Sequence, residues 1–300
     1  MVTGCTNNGE VPHVKKWGIY SLDLSTQVID LIYSSDEEIV TLRLNNNGDQ
    51  FVFSLMADSS DYNSSEICVL NLDSSNLIQL TDNNNWDLYP TWSPDDTRIA
   101  FLSYRQDDLD IYMMNADGTN QSLFYDSGFH DADIHWIENT IVFTSGSKIW
   151  SIDDDGANPL VVTNPPKAGE WGNANLPFGD YDPNLYPDGT KIAFERLEND
   201  TSPHGNYNIF TIDLDGTNET RLTHNYFTQG FPTWSHSGNK ILLLVTGILD
   251  EGKYDLYLMN ANGSDYEDIT PEYVPDLFLC RAGVFSPDDT LIYFVGEWWE

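Results

Sequence analysis

The chain has 300 residues, of which 48 are acidic and 13 are basic, and its formal net charge is −35. Nucleic-acid binding relies on lysine and arginine to neutralise phosphates, so this balance argues against a nucleic-acid partner. Hydrophobic residues make up 40% of the chain, which is enough for folded cores and argues against disorder. No run of 18 apolar residues occurs, so no membrane-spanning segment is predicted. We interpret the acidic surface as a source of solubility rather than as a surface evolved for one basic partner.

The first residues resemble the end of a bacterial lipoprotein signal, in which a cysteine is acylated. The match is Val2-Thr3-Gly4-Cys5, and a short polar stretch follows it. We therefore predict that residues 1–16 form a tether with a lipid anchor on Cys5. That anchor implies an extracytoplasmic location, in the periplasm or at the cell surface. The alternative is a chance match of four residues.

Residues 81–125 contain the unit from which the rest of the chain is built. Pro94 and the polar residues after it predict a tight turn. Residues 98–104, 109–114 and 122–125 are rich in strand formers. The tetrad at 115–118 ends in glycine and predicts a hairpin. Four strands in one small sheet cannot bury both faces of that sheet, so the unit has to stack on copies of itself.

The copies are visible as two repeated motifs. The first motif ends its opening strand on an apolar anchor, and the six anchors are Leu44, Trp92, Trp136, Leu185, Trp234 and Phe285. These anchors recur about every 44 to 51 residues, a period typical of propeller blades. The second motif is a strand with a hairpin turn, as in residues 111–120. An extra copy of the second motif lies at 19–27, before the first anchor, whereas no copy follows the last anchor.

One surplus half-unit at each end of the chain is explained by a ring that both termini close. The sequence therefore predicts an all-β fold, a six-bladed β-propeller of four-stranded antiparallel blades. The predicted propeller covers residues 17–300, and its sixth blade combines 277–300 with 17–35. We expect the anchor tryptophans in the cores between blades. Cys68 and Cys280 are expected to be buried free thiols rather than a disulfide.

The motifs also resemble a known family. The stretches PTWSPDDTRIAF (90–101) and IYMMNADGTN (111–120), with a trailing Leu-Thr pair at 80–81 and 222–223, are similar to the WD40-like (PD40) repeats of TolB-type six-bladed propellers. This resemblance implies a non-catalytic, extracytoplasmic propeller that binds other molecules.

The links between the second and third strands, and between blades, vary greatly in length and are expected to share one face. Irregular loops on a rigid scaffold usually carry the binding site. We therefore predict a binding patch on this variable-loop face, where aromatic side chains favour contact with a partner. The predicted patch consists of Trp86, Phe129, His130, Trp171 and Phe227. Packing within the loops is the alternative explanation for these residues.

A second candidate site lies five residues before the anchors. Asp87, Asp131 and Asp180 occupy this position in three successive blades and are expected at the mouth of the central channel. Carboxylates are the ligands that Ca²⁺ prefers, so these residues are a possible calcium site. The alternative is a hydrated acidic funnel with no bound ion.

Catalytic motifs are scarce in the sequence. The chain contains no HExxH zinc motif and no GxSxG nucleophile elbow, and His135 is expected to be structural. Our preferred interpretation is a monomeric, non-catalytic propeller that binds a protein or a cell-surface polymer through the variable-loop face. Two alternatives remain, a metal-dependent hydrolase or lyase with a cation in the channel, and a sensor or interaction domain of a larger assembly.

Overall fold

The computed structural model describes residues 15–58, 64–199, 205–224, 227–246, 254–270 and 278–299, and it describes the side chains of these residues except at 278–282 and 299. In these ranges the chain forms 24 β-strands. No described residue lies in a helix long and apolar enough to cross a membrane. Cys5 and most of the predicted tether lie outside the described residues.

The strands form six four-stranded antiparallel blades, each running from an inner strand at the channel to an outer strand. Blades one and two consist of β3 (Glu38–Leu44), β4 (Gln50–Met56), β5 (Ser65–Asn71), β6 (Ile78–Gln79), β7 (Asp87–Trp92), β8 (Arg98–Ser103), β9 (Asp110–Asn115) and β10 (Ser122–Tyr125). Blades three and four consist of β11 (Asp131–Ile137), β12 (Thr140–Ser145), β13 (Lys148–Asp153), β14 (Leu160–Val161), β15 (Gly179–Leu185), β16 (Lys191–Asn199), β17 (Asn206–Asp213) and β18 (Thr220–Arg221). Blades five and six consist of β19 (Thr228–Trp234), β20 (Lys240–Thr246), β21 (Tyr254–Asn260), β22 (Glu267–Asp268), β23 (Phe278–Phe285), β24 (Leu291–Trp299), β1 (Lys15–Asp23) and β2 (Ile29–Ser35).

The sixth blade joins the two ends of the chain. Strand β1 pairs antiparallel with β24 over nine residue pairs, from Lys15 opposite Trp299 to Asp23 opposite Leu291. Strand β2 then forms the outer edge of this blade. This pairing confirms the predicted six-bladed fold and its closure by N-terminal strands.

The cores lie between neighbouring blades, as the repeat predicts. Trp92 of the second blade is 4% exposed and belongs to one cluster with Val52 and Val69 of the first blade. Trp136 likewise clusters with Ala100 and other second-blade residues. The middle strands are buried on both faces, which explains why they read as continuous apolar runs such as residues 99–102. The anchor tryptophans are therefore inter-blade core, as predicted.

The cysteine prediction is confirmed where it is described. Cys68 lies on β5, the third strand of its blade, and is a buried free thiol. Burial raises its pKa to about 12, which keeps the thiol protonated and unreactive. The side chain of Cys280 lies outside the described residues.

The Ser-Pro-Asp-Asp turn has two separate structural roles. Its first aspartate, Asp95, accepts hydrogen bonds from Thr97 and Ser93 and closes its own turn. Its second aspartate, Asp96, reaches the neighbouring blade, where Oδ1 accepts the Asn46 N–H at 2.9 Å and Oδ2 accepts the Asn47 N–H at 3.0 Å. The repeated turn therefore fastens this blade to the one before it.

Four of the inner strands share a β-bulge that contains a residue in the left-handed conformation. The residue three places before the anchor has a positive φ in each of these strands. These residues are Tyr89 (51°), Asp133 (55°), Asp182 (49°) and Phe231 (54°). The pairing of each strand with its neighbour shifts at the same place. Non-glycine residues rarely adopt this conformation, and all four side chains line the central cavity.

Candidate functional site

A cavity of about 900 Å³ opens on the variable-loop face. Its described lining comes from blades two to five and combines loop residues at the mouth with bulge residues deeper in the channel. This volume lies within the range of small-molecule and side-chain pockets. We refer to it as the funnel.

The mouth of the funnel carries exposed apolar side chains. Trp171 is 71% exposed and Phe129 is 57% exposed, and both line the funnel together with Leu176. His130 also lines it, and its Nδ1 accepts the Leu109 N–H at 3.1 Å. Such large side chains in water are typical of a surface that a partner covers.

The other two residues of the predicted patch lie outside the lining. Trp86 packs against Tyr104, with ring centroids 5.4 Å apart, and is only partly exposed. Phe227 is 40% exposed and precedes Thr228, which does line the funnel. The structure thus brings three of the five predicted residues together.

The floor of the funnel holds three carboxyl groups from two blades. Asp182 lies between Asp133 and Glu195 and is hydrogen-bonded to both. Backbone amides of the bulges add support, since the Asp182 N–H donates to Asp133 Oδ2 at 3.3 Å and the Phe231 N–H donates to Glu195 Oε2 at 3.1 Å. A Cβ at Gly230 would lie 2.2 Å from Glu195 Oε2, so any other residue here would displace this carboxyl group.

Burial and mutual repulsion keep protons on this floor. Burial raises the pKa of Asp133 and Asp182, and the negative charges of Asp133 and Glu195 raise that of Asp182 further. Burial, with the charge of Asp133, raises the pKa of Glu195 to about 8. Burial also raises the pKa of Tyr181 to about 12. At neutral pH the floor therefore offers hydrogen-bond donors as well as acceptors.

Below the floor lie two basic side chains, His135 and Arg43. His135 Nδ1 accepts the N–H of Leu185, the anchor of the next blade, at 2.9 Å. Burial lowers the pKa of His135 to about 3, and the charge of Arg43 contributes, so the imidazole is neutral. In the following blade, Asn184 makes the corresponding contact and accepts the Trp234 N–H at 3.0 Å. This repetition supports the expected structural role of His135.

The three aspartates predicted as a calcium site are fully buried, and the structure does not bring them together. Asp87 accepts hydrogen bonds from Ser103 and, at 3.2 Å, from Arg105 Nη2. Asp180 accepts two hydrogen bonds from Arg196. Asp131 accepts one from Ser127 at 2.5 Å. Each carboxylate is therefore held within its own region of the ring, and a shared ion at these three remains only a prediction.

Sequence reasoning missed Glu195, Tyr181 and Tyr207 as lining residues. One signal was present for Glu195. It follows the large apolar residue of its second strand, at the place where other repeats carry Leu102, Thr144 or Leu244. A charged residue at this otherwise uncharged position of a buried strand indicates a special environment.

Together, the fold and the funnel define a six-bladed β-propeller with a ligand-sized opening on its loop face. No family model matches the chain. A TolB homologue of Chlorobium luteolum is 31% identical over 161 residues, which is 52% of this chain and 33% of that protein. An uncharacterised protein of Agrobacterium fabrum, Atu1656, is 27% identical over 161 residues, 50% of this chain and 51% of its own length. The chain thus matches about half or less of these relatives.

The solved structures show the same fold. A protein of Agrobacterium tumefaciens described as TolB superposes with a TM-score of 0.73 at 17% identity, over 95% of this chain and 99% of that one. An oligogalacturonate lyase in complex with manganese superposes with a TM-score of 0.54 at 11% identity, over 93% and 95%. The predicted resemblance to TolB-type proteins is confirmed over about half of the chain, and the solved structures confirm the propeller fold.

Proposed function

We propose that this protein is a non-catalytic binding propeller that captures another protein through the funnel on its variable-loop face. The partner inserts a basic side chain toward the carboxyl floor and packs an apolar segment against the mouth. The observation that carries this proposal is the combination of exposed Trp171 and Phe129 at the mouth with the acidic group around Asp182 on the floor. Exposed aromatic anchors around a pocket are the usual centre of a protein interface.

The electrostatics of the floor support a cationic group in the partner. Burial and the negative charges of the neighbouring carboxylates raise the pKa of both Asp182 and Glu195. A lysine or arginine side chain placed among them would favour their ionised forms and release protons. A net charge of −35 would also speed the approach of a basic partner.

The proposal also covers where the protein is located and how it is anchored. We infer that the protein is an extracytoplasmic monomer and that a lipid on Cys5 anchors it. The likeness to TolB proteins supports this location. Mass spectrometry of the protein purified from membranes tests the lipid directly, because an unmodified Cys5 would contradict it.

The binding test uses wild-type protein and variants as bait in extracts of the extracytoplasmic fraction. Trp171→Ala and Glu195→Gln are expected to reduce capture of the partner at least tenfold. Asp155→Ala, on the opposite face in an exposed hairpin turn, is the matched control and should capture as much as wild type. Equal capture by all variants would contradict the proposal.

The test also separates a protein from other ligands. A partner that resists protease but is lost after glycosidase treatment would identify a surface polymer instead. Turnover of oligosaccharides that requires Mn²⁺ or Ca²⁺ would show that the protein is an enzyme. The oligogalacturonate lyase that shares this fold belongs to that class of activity.

A further inference from the structure

A second acidic group lies on the variable-loop face, outside the funnel. Asp108 is in the link between β8 and β9, Asp110 begins β9, and Asp126 follows β10. One carboxylate oxygen from each of these residues lies within 4.8 Å of the other two. Two oxygens that each lie about 2.4 Å from one calcium ion are at most about 4.8 Å apart, so this spacing suits a shared ion.

The state of Asp110 points to a missing partner. Its side chain is fully buried, at 0% exposure, and both carboxylate oxygens lack a hydrogen-bond partner. A buried carboxylate without a hydrogen-bond donor is unfavourable, because nothing in the protein replaces the water that the ion has lost. The negative charges of Asp108 and Asp126 make an ionised Asp110 still less favourable.

The backbone holds this arrangement in place. The Asp131 N–H donates to the Leu109 carbonyl at 2.8 Å, and the Leu109 N–H donates to His130 Nδ1 at 3.1 Å. The Gly128 N–H donates to Asp126 Oδ1 at 2.7 Å. The two links that carry the carboxylates are therefore tied to each other, which keeps their backbones close together.

From this geometry we infer a calcium site formed by Asp108, Asp110 and Asp126 at the junction of blades two and three. Ca²⁺ supplies the positive charge that Asp110 lacks, and backbone carbonyls or water complete its six to eight oxygen ligands. Asp131 lies beside the group, and its Oδ2 is also buried without a partner. The site thus lies next to one of the three aspartates predicted from the sequence, but it uses different ligands.

Such an ion would order the mouth of the funnel. The link that begins at Asp126 continues directly into Phe129 and His130, which line the funnel. Calcium would therefore fix two mouth residues relative to blade two. This consequence depends on the proposed function, whereas the metal site itself does not.

Isothermal titration of EDTA-treated protein with CaCl₂ in a buffered potassium chloride solution tests the site. We expect one ion per chain with a dissociation constant between about 1 μM and 1 mM. Asp126→Asn, at an exposed position where folding is not at risk, should weaken binding at least tenfold, and Asp110→Asn should do the same. Asp155→Asn removes an equal charge on the opposite face and should leave the affinity unchanged.

Two results would overturn the inference. The first is the absence of binding to wild type, with no rise in melting temperature on adding CaCl₂. The second is binding that survives in Asp126→Asn and Asp110→Asn alike. Loss of binding in Asp180→Asn alone would place the ion at the channel aspartates instead. Failure of the wild-type protein to capture a partner, with calcium binding intact, would count against the proposed function only.

Discussion

Arg196 and Asp180 form a buried bidentate ion pair between the first two strands of blade four. Arg196 Nε donates to Asp180 Oδ1 at 2.6 Å, and Nη2 donates to Oδ2 at 3.0 Å. The two residues are also direct partners across β15 and β16. Arg196 makes a second ion pair with Glu219 on the outer side. An arginine in the second strand thus fixes the start of the inner strand that enters the channel.

Removing one partner of this pair should destabilise the fold. Asp180→Asn is expected to lower the free energy of unfolding by about 3 kcal/mol, the lower end for breaking a buried ion pair, because Glu219 still pairs with Arg196. Urea unfolding followed by tryptophan fluorescence measures this loss. Lys191→Gln breaks the more exposed pair with Asp213 and should cost at most about 1 kcal/mol. Equal effects of the two changes would refute the role of the buried pair.

The anchor tryptophans should dominate the stability of the inter-blade cores. Trp92 is 4% exposed between blades one and two, so Trp92→Ala is expected to cost about 3–5 kcal/mol through the cavity it leaves. Trp171→Ala is the control, because that side chain is 71% exposed and should change the melting temperature little. The prediction fails if both variants unfold at the wild-type denaturant concentration.

The hydrogen bonds that the Ser-Pro-Asp-Asp turn makes to the neighbouring blade can be tested without straining the backbone. Asp96 has φ of 57°, a conformation that asparagine tolerates. Asp96→Asn keeps one acceptor for the Asn46 N–H but loses the second acceptor and the charge, so we expect a loss of about 1–2 kcal/mol. Asp289 accepts the His236 and Ser237 N–H groups in the same way, and Asp289→Asn should cost a similar amount. A loss of stability in only one of these two variants would show that hydrogen bonding between blades by this turn is not a general feature of the repeat.

The carboxyl floor predicts how stability depends on pH. The pKa of Glu195 is raised from 4.5 to about 8 by burial, so the folded protein holds a proton that the unfolded chain releases. The resulting stabilisation is complete below about pH 4.5 and is lost as the pH rises through about 8. Between these values this group lowers the free energy of unfolding as the pH increases. Melting temperatures measured from mildly acidic to mildly alkaline pH should follow this trend.

Glu195→Gln provides the comparison for that pH series. Glutamine keeps an acceptor for the Phe231 N–H but cannot ionise, so the decline in melting temperature with rising pH should become shallower. An unchanged slope in this variant would show that Glu195 does not carry the effect.

Much of the fold follows from local chemistry that repeats. Gly118, with φ of 82°, forms the hairpin turn that its tetrad predicts, and β10 has the predicted bounds of Ser122 and Tyr125. The surplus half-units predict the pairing of β1 with β24, because only a closed ring accounts for both. Six copies of one pattern also fix the register, since each anchor has to lie at the same place in its blade.

The candidate site was less accessible to sequence reasoning because it depends on contacts between blades. Asp87 and Asp180 lie at the predicted position, but their basic partners lie one strand away and neutralise them within the blade. The floor of the funnel requires Asp182 and Glu195 on neighbouring strands. It also requires a β-bulge, which no turn residue in the sequence predicts. The unpartnered oxygens of Asp110 likewise become visible only when burial is known.

Site-specific photo-crosslinking tests binding through the funnel most directly. A photoreactive phenylalanine analogue, which keeps an aromatic ring at the mouth of the funnel, replaces Trp171 in one variant and Asp155 on the opposite face in another, and both are illuminated in the source cells. We predict a discrete crosslinked protein from position 171 and none from position 155. Crosslinking from position 155 alone, or from neither position, would contradict binding through the funnel.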